Sequence, residues 1–266
     1  MGFTWNNGQY GSTALYALDM DSHESIIVDT SAYFPDWSPA APKLVYCTDK
    51  HEFSIEGYRP QQIAVFDLST GTVTRLTEGD DINTNPEFSP DGNWIAYSSD
   101  AGHHGAFEIW KMTADGSQKE QISDDLQFSG LNFGNIGLGR PVWSPDAAFI
   151  YFNTVSEEDI DMDIFRIPAD GGTIEPVVQS PWNDYIPAVS PDQSKIAFIS
   201  DRSGTDQIWL YEPASDRYRQ VTGDGRFDIL TYWGKLEWPD GNRILFTGYE
   251  HGNDPDYGIF AVEVPD

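Results

Sequence analysis

This chain has little positive charge and a single cysteine. Fifteen Lys and Arg stand against 43 Asp and Glu, a formal net charge of −28 over 266 residues. A surface of that sign repels nucleic acid and anionic membranes, which bind proteins through Lys and Arg replacing counterions. It suits a basic partner, a divalent cation, or solubility in high salt. The acidity is spread along the whole chain and does not form a tail. The lone Cys47 excludes an internal disulfide and, inside an apolar run, reads as a small buried hydrophobe. No run approaches the roughly 18 apolar residues of a membrane-spanning helix. Met1–Trp5 lacks the basic and then apolar pattern of a secretory leader. Helical periodicity beyond a turn or two is missing too. What is present is a 39% apolar fraction with 14% aromatics, ample for a core.

The chain also repeats itself. Ser89-Pro90-Asp91-Gly92 precedes the strand-like Trp94-Ile95-Ala96-Tyr97-Ser98. Pro presets φ for the second position of a type I turn, and Gly is favoured at the fourth. Ser38-Pro39, Ser144-Pro145-Asp146, Ser190-Pro191-Asp192 and Trp238-Pro239-Asp240-Gly241 each lead into a similar strand. Successive prolines lie 51, 55, 46 and 48 residues apart, a period that marks a repeat architecture. Each full unit spells four short strands, named A to D. In the unit after Pro86 these are Asn85–Phe88, Trp94–Ser98, Glu108–Met112 and Lys119–Ile122, with the Ala114-Asp115-Gly116 hairpin between C and D.

Four antiparallel strands per unit predict an all-β fold, a β-propeller whose blades cover each other's apolar faces. The expected arrangement is a six-bladed β-propeller, a single domain over 1–266, with blades of approximately 1–34, 35–84, 85–140, 141–186, 187–234 and 235–266. The first blade lacks its A strand and the last its D strand. The alternative is a five-bladed ring in which the N-terminal strands complete the final blade. The aspartates of the turns, Asp91, Asp146, Asp192 and Asp240, are expected to cap local N–H groups.

The stretch Phe88-Ser89-Pro90-Asp91-Gly92 through Ile95-Ala96-Tyr97-Ser98-Ser99-Asp100 resembles the β-propeller repeat of the TolB-like family. So does Val189-Ser190-Pro191-Asp192 through Ser200-Asp201-Arg202-Ser203-Gly204 and Gln207-Ile208-Trp209-Leu210. The resemblance covers nearly the whole chain and implies a partner-binding protein of the cell envelope, periplasmic or extracytoplasmic. It extends to propellers that precede prolyl-oligopeptidase-type domains. The additional N-terminal α/β domain of TolB has no counterpart here, nor does the Gly-x-Ser-x-Gly elbow of a hydrolase. Fold alone does not give function.

Loops joining D to A and B to C are expected on the ligand-facing side, at the channel mouth. The loop 123–140 carries Phe128 and Phe133 and ends at Arg140, suited to a carboxylate or phosphate or to a structural ion pair. Aromatic D–A loops contribute Trp182, Asp184 and Tyr185, and then Tyr232 and Trp233; Asp81 occupies the polar loop before Asn83. Such aromatics anchor protein partners or stack on sugars. His51, His103, His104 and His251 fall in B–C loops and are weak candidates for a transition metal; no cofactor is otherwise expected, a divalent cation apart. The leading expectation is a non-enzymatic, monomeric binding module for a protein or peptide, basic by charge complementarity, without nucleic acid or membrane insertion. Its competitor is a carbohydrate-active enzyme, a lyase or hydrolase, or a metal-dependent site in the channel mouth. A scaffold segment of a larger protein is the third reading.

Overall fold

The computed structural model describes residues 2–6, 13–19, 21–49, 60–102, 107–124, 139–155, 161–223, 225–229, 234–251 and 256–265. It divides into two compact units, Met1–Gly130 and Leu131–Asp266. Among the described residues there is no α-helix. Among these residues, therefore, no helix is long and apolar enough to cross a membrane.

The first unit holds three antiparallel sheets. Gly2–Asn6, Thr13–Leu18 and Ser25–Asp29 form a three-stranded sheet. Ala32–Trp37, Lys43–Thr48, Gln62–Asp67 and Thr72–Arg75 form the second. Asn83–Phe88, Trp94–Ser99, Glu108–Thr113 and Lys119–Gln121 form the third. The second unit repeats the design. Its sheets are Val142–Trp143, Phe149–Val155, Met162–Pro168 and Glu175–Val178, and then Asp184–Val189, Ile196–Ser200, Gln207–Glu212 and Arg217–Gln220. The last sheet pairs Phe227–Ile229 and Glu237–Asp240 with opposite ends of Arg243–Glu250, whose other edge takes Asp256–Glu263. Its A strand is thus in two pieces, and among the described residues no D strand follows. Five sheets have four strands, the number in the five-bladed reading. The N-terminal sheet has three strands, so the six-bladed expectation is not confirmed.

Each core lies between consecutive sheets of one unit. Leu15 and Ala32 pack with Leu44, Tyr46, Ala64 and Phe66. Val45, Ile63 and Val65 turn the other way, onto Phe88, Ile95, Tyr97 and Met112. In the second unit Phe198 and Val189 join Val142, Tyr151 and Ile164, whereas Ala197, Ile199, Ile208 and Leu210 join Phe227, Trp238 and Phe246. This alternation along one strand is the period of two that sends neighbouring side chains to opposite faces. A sheet apolar on both faces is stable only with a neighbour against each.

The recurrent turn is built as its residues predict. Gly92 N–H donates to the Ser89 carbonyl at 2.8 Å, Ser89 Oγ donates to Asp91 at 2.6 Å, and Trp94 N–H returns to Ser89 Oγ at 3.0 Å. Ser144–Asp146 and Ser190–Asp192 repeat the pattern. Accepting these bonds holds Asp91 and Asp146 below the usual carboxylate range and Asp192 at about 2.

The A strands depart from the sequence expectation. Asp184 and Tyr185, assigned to a D–A loop, lie inside a strand that begins earlier than expected. Each of three A strands carries a bulge, between Tyr33 and Asp36, Thr84 and Glu87, and Tyr185 and Ala188. The bulged residue has positive φ and precedes a proline: Phe34 (51°), Asn85 (54°) and Ile186 (53°). Proline denies the ladder a donor and the bulge breaks the alternation, so pattern reading loses the start of the strand, as where Asn85–Phe88 was expected and Asn83–Phe88 is found.

Candidate functional site

The D–A loop before Asp184 is tied down on every side. Met162, which opens a C strand, donates its N–H to Asn183 Oδ1 at 3.2 Å. The next residue in that strand, Asp163, accepts Ser180 N–H at 3.1 Å. Ser180 Oγ donates to Asp184 Oδ2 at 2.6 Å. From the B–C loop, Asp201 receives both Asn183 N–H (3.0 Å) and Asn183 Nδ2 (2.8 Å). A loop so bonded presents its tip in one conformation. That tip is Trp182, 44% exposed.

Under the tryptophan lies Arg202. Its guanidinium bonds both oxygens of Asp184 at 2.8 Å, and Nε donates to Ser200 Oγ at 2.9 Å. The aromatic rings of Trp182, Phe198, Trp209 and Tyr218 surround it, with centroids 4.6–5.6 Å from Cζ. Asp184 is fully buried and the Arg202 side chain is 9% exposed. Planar guanidinium suits such a cage, since its faces stack on rings while its edge meets carboxylate. Burial pushes the Tyr218 phenol up to about 12, with Tyr211 beside it adding to the rise. Burial likewise raises Asp163 to about 6, and the neighbouring charge of Asp184 adds to it.

The sequence candidates thus separate. Trp182, Asp184 and Tyr185 come together in one element, Trp182 exposed, Asp184 buried beneath it and Tyr185 packed toward the next core. Arg140 is buried at 7% exposure, immediately before Pro141. Asp81 borders an open cleft of about 420 Å³ in the first unit, and its carbonyl accepts from Gln62 Nε2 at 3.0 Å. Phe128, Phe133, Tyr232, Trp233, His51, His103 and His104 lie outside the described residues. His251 is exposed and sits 2.9 Å from Asp228. Among the described residues no three His, Cys, Asp or Glu side chains gather as a metal site requires. Sequence reading did not single out Arg202 or Ser180. The signal for Arg202 was its place four residues after Phe198 in a strand pattern already noted.

No family model matches the chain. It is 27% identical over 206 residues to an uncharacterised protein of Agrobacterium fabrum, covering 72% of this chain and 63% of that one. It is 26% identical over 149 residues to a TolB homologue of Chlorobium luteolum, covering 56% of this chain and 31% of the relative. It therefore spans less than two thirds of each. Among solved structures, TolB from Acinetobacter baumannii matches with a TM-score of 0.73 at 19% identity, over 99% of this chain and 63% of that one. An oligogalacturonate lyase from Vibrio parahaemolyticus matches at 0.65 and 15%, over 100% and 77%. Taken with the repeated four-stranded sheets, these likenesses show an all-β propeller fold and support a TolB-like propeller family.

Proposed function

We propose that this chain is a non-enzymatic binding module that takes a protein or peptide partner on the sheet ends where D–A and B–C connections emerge. The observation that carries the reading is Trp182, an exposed indole on a loop fixed by the Arg202–Asp184 pair. Exposed aromatics on a rigid base are typical interface anchors, because little side-chain entropy is lost when they dock. The charge of −28 favours a basic partner and speeds its encounter. The same charge opposes an anionic polysaccharide, which weighs against reading the lyase likeness as shared chemistry.

The test is to recover bound protein on the immobilised chain, purify it, and titrate it against wild type and Trp182→Ala. The proposal expects affinity to fall about tenfold or more, as for an interface hot spot, with the melting temperature unchanged. Equal affinity for the two proteins overturns the role of Trp182. Turnover of oligogalacturonate by purified wild type replaces the module with the enzyme.

A further inference from the structure

The third and fifth sheets carry the same pocket in two states. In the fifth, Phe198 and Trp209 face each other across the B–C ladder, and Trp209 is opposite Gln220. In the third, Tyr97 faces Trp110, and Trp110 is opposite Gln121. The register places Asn83 where the other has Asp184, Lys119 for Tyr218, and Asp81 for Trp182. The backbone agrees as well. Ile82 N–H reaches Asp100 Oδ1 at 2.6 Å as Asn183 N–H reaches Asp201, and Ala101 N–H donates to Ser99 Oγ at 3.2 Å as Arg202 N–H donates to Ser200 Oγ at 3.3 Å. Ala101 therefore occupies the position of Arg202. Where the fifth sheet fills its cage with its own guanidinium, the third leaves the open cleft of about 420 Å³, walled by Tyr97 and Trp110 and bordered by Glu78, Asp81, Asn83 and Lys119.

We infer that this cleft is a receptor pocket for an arginine side chain of the partner, entering where Arg202 sits in the sister sheet. The aromatic pair persists, with centroids 6.4 Å apart, and both residues line the cleft, the residue types on which a planar cation stacks. Two carboxylates at the border, Glu78 exposed and Asp81 half-buried, replace the role of Asp184. The one cation at the border among the described residues is held back, since Lys119 Nζ donates to the Gly116 carbonyl at 2.8 Å. The strong negative charge of the chain draws such a ligand in. Naming the partner's arginine rests on the binding-module reading, but the pocket can be tested without any partner.

The probe is Nα-acetyl-arginine amide, with the uncharged citrulline analogue as its control, titrated into the full chain while the Trp110 indole resonance is followed by NMR. The inference expects a saturable Trp110 shift with the arginine probe and none with citrulline. Ala101→Arg supplies an intramolecular competitor and should cut the shift at fixed probe concentration by about tenfold. A second variant, Glu78→Gln with Asp81→Asn, leaves packing unchanged and should weaken the same response. No shift with arginine, an equal shift with citrulline, or an undiminished response in folded Ala101→Arg each overturns the pocket. Failure of the partner titration at Trp182 alongside a saturable arginine shift would remove the module and leave the pocket standing.

Discussion

A guanidinium enclosed by four rings loses most of its hydration, and only a carboxylate at bonding distance offsets that loss. Arg202 and Asp184 meet this condition at 2.8 Å with both buried. Arg202→Ala strands the buried Asp184 carboxylate and is expected to cost about 3–5 kcal/mol, read as a lower urea midpoint. Asp163 behaves in the opposite way from the turn aspartates. Its folded pKa, about 6, lies above the ordinary aspartate value of 3.8, so the native state binds the extra proton. Its contribution is full below about pH 4 and is lost as pH rises through 6. Asp163→Asn should flatten that part of a stability profile measured between pH 4 and 7; an unchanged slope would assign it to another group. Asp192, held at about 2, adds stability above pH 4 that fades as pH falls toward 2.

The Ser-Pro-Asp turn is one element in three chemical versions. Its fourth position has positive φ throughout, at Gly92 (71°), Ala147 (59°) and Gln193 (60°). Side chains there sit in the left-handed region at a cost of about 1 kcal/mol, so Ala147→Gly and Gln193→Gly are expected to raise the urea midpoint. Gly92→Ala should lower it, since the added Cβ would stand 2.6 Å from Ala40 Cβ as well. A second repeated element closes the D strands. Thr77, Ser123 and Thr222 each receive a buried C-strand N–H, from Ile63, Ile109 and Ile208, at 2.8, 2.8 and 2.9 Å. Thr222→Val keeps the shape and removes the acceptor, leaving a buried donor unsatisfied at about 1–3 kcal/mol. Equal stability of Thr222→Val and wild type would mean that the Ile208 N–H finds another acceptor. The turns and the B, C and D strands were legible because proline, aspartate and alternating apolar residues each act locally. The A strands were legible only in part: Asn85–Phe88 was expected and is found as the end of Asn83–Phe88, but the strand starts were missed because Phe34-Pro35, Asn85-Pro86 and Ile186-Pro187 are bulges stabilised by neighbouring strands. The aromatic cage was invisible for the same reason, since Phe198, Trp209 and Tyr218 meet only through cross-strand register.

Across the whole molecule, 43 acidic residues against 15 basic ones impose self-repulsion that folding must overcome. Salt shortens the Debye length from about 10 Å at 0.1 M to about 3 Å at 1 M. The melting temperature should therefore rise with sodium chloride over this range, and a flat response would show that the charges are too far apart to matter. The likeness to TolB-like propellers accounts for the sheets and their repetition, whereas the proposed recognition rests on residues that differ from one sheet to the next. Trp182 against Asp81, and Arg202 against Ala101, are two such differences on a common frame. The central claim is that this frame holds an exposed indole rigid so that a partner can dock on it. Calorimetric titration of the purified partner against wild type and Trp182→Ala, with both melting temperatures measured, tests it most directly. The account predicts a large loss of affinity at unchanged stability; undiminished binding, or a loss that merely follows unfolding, contradicts it.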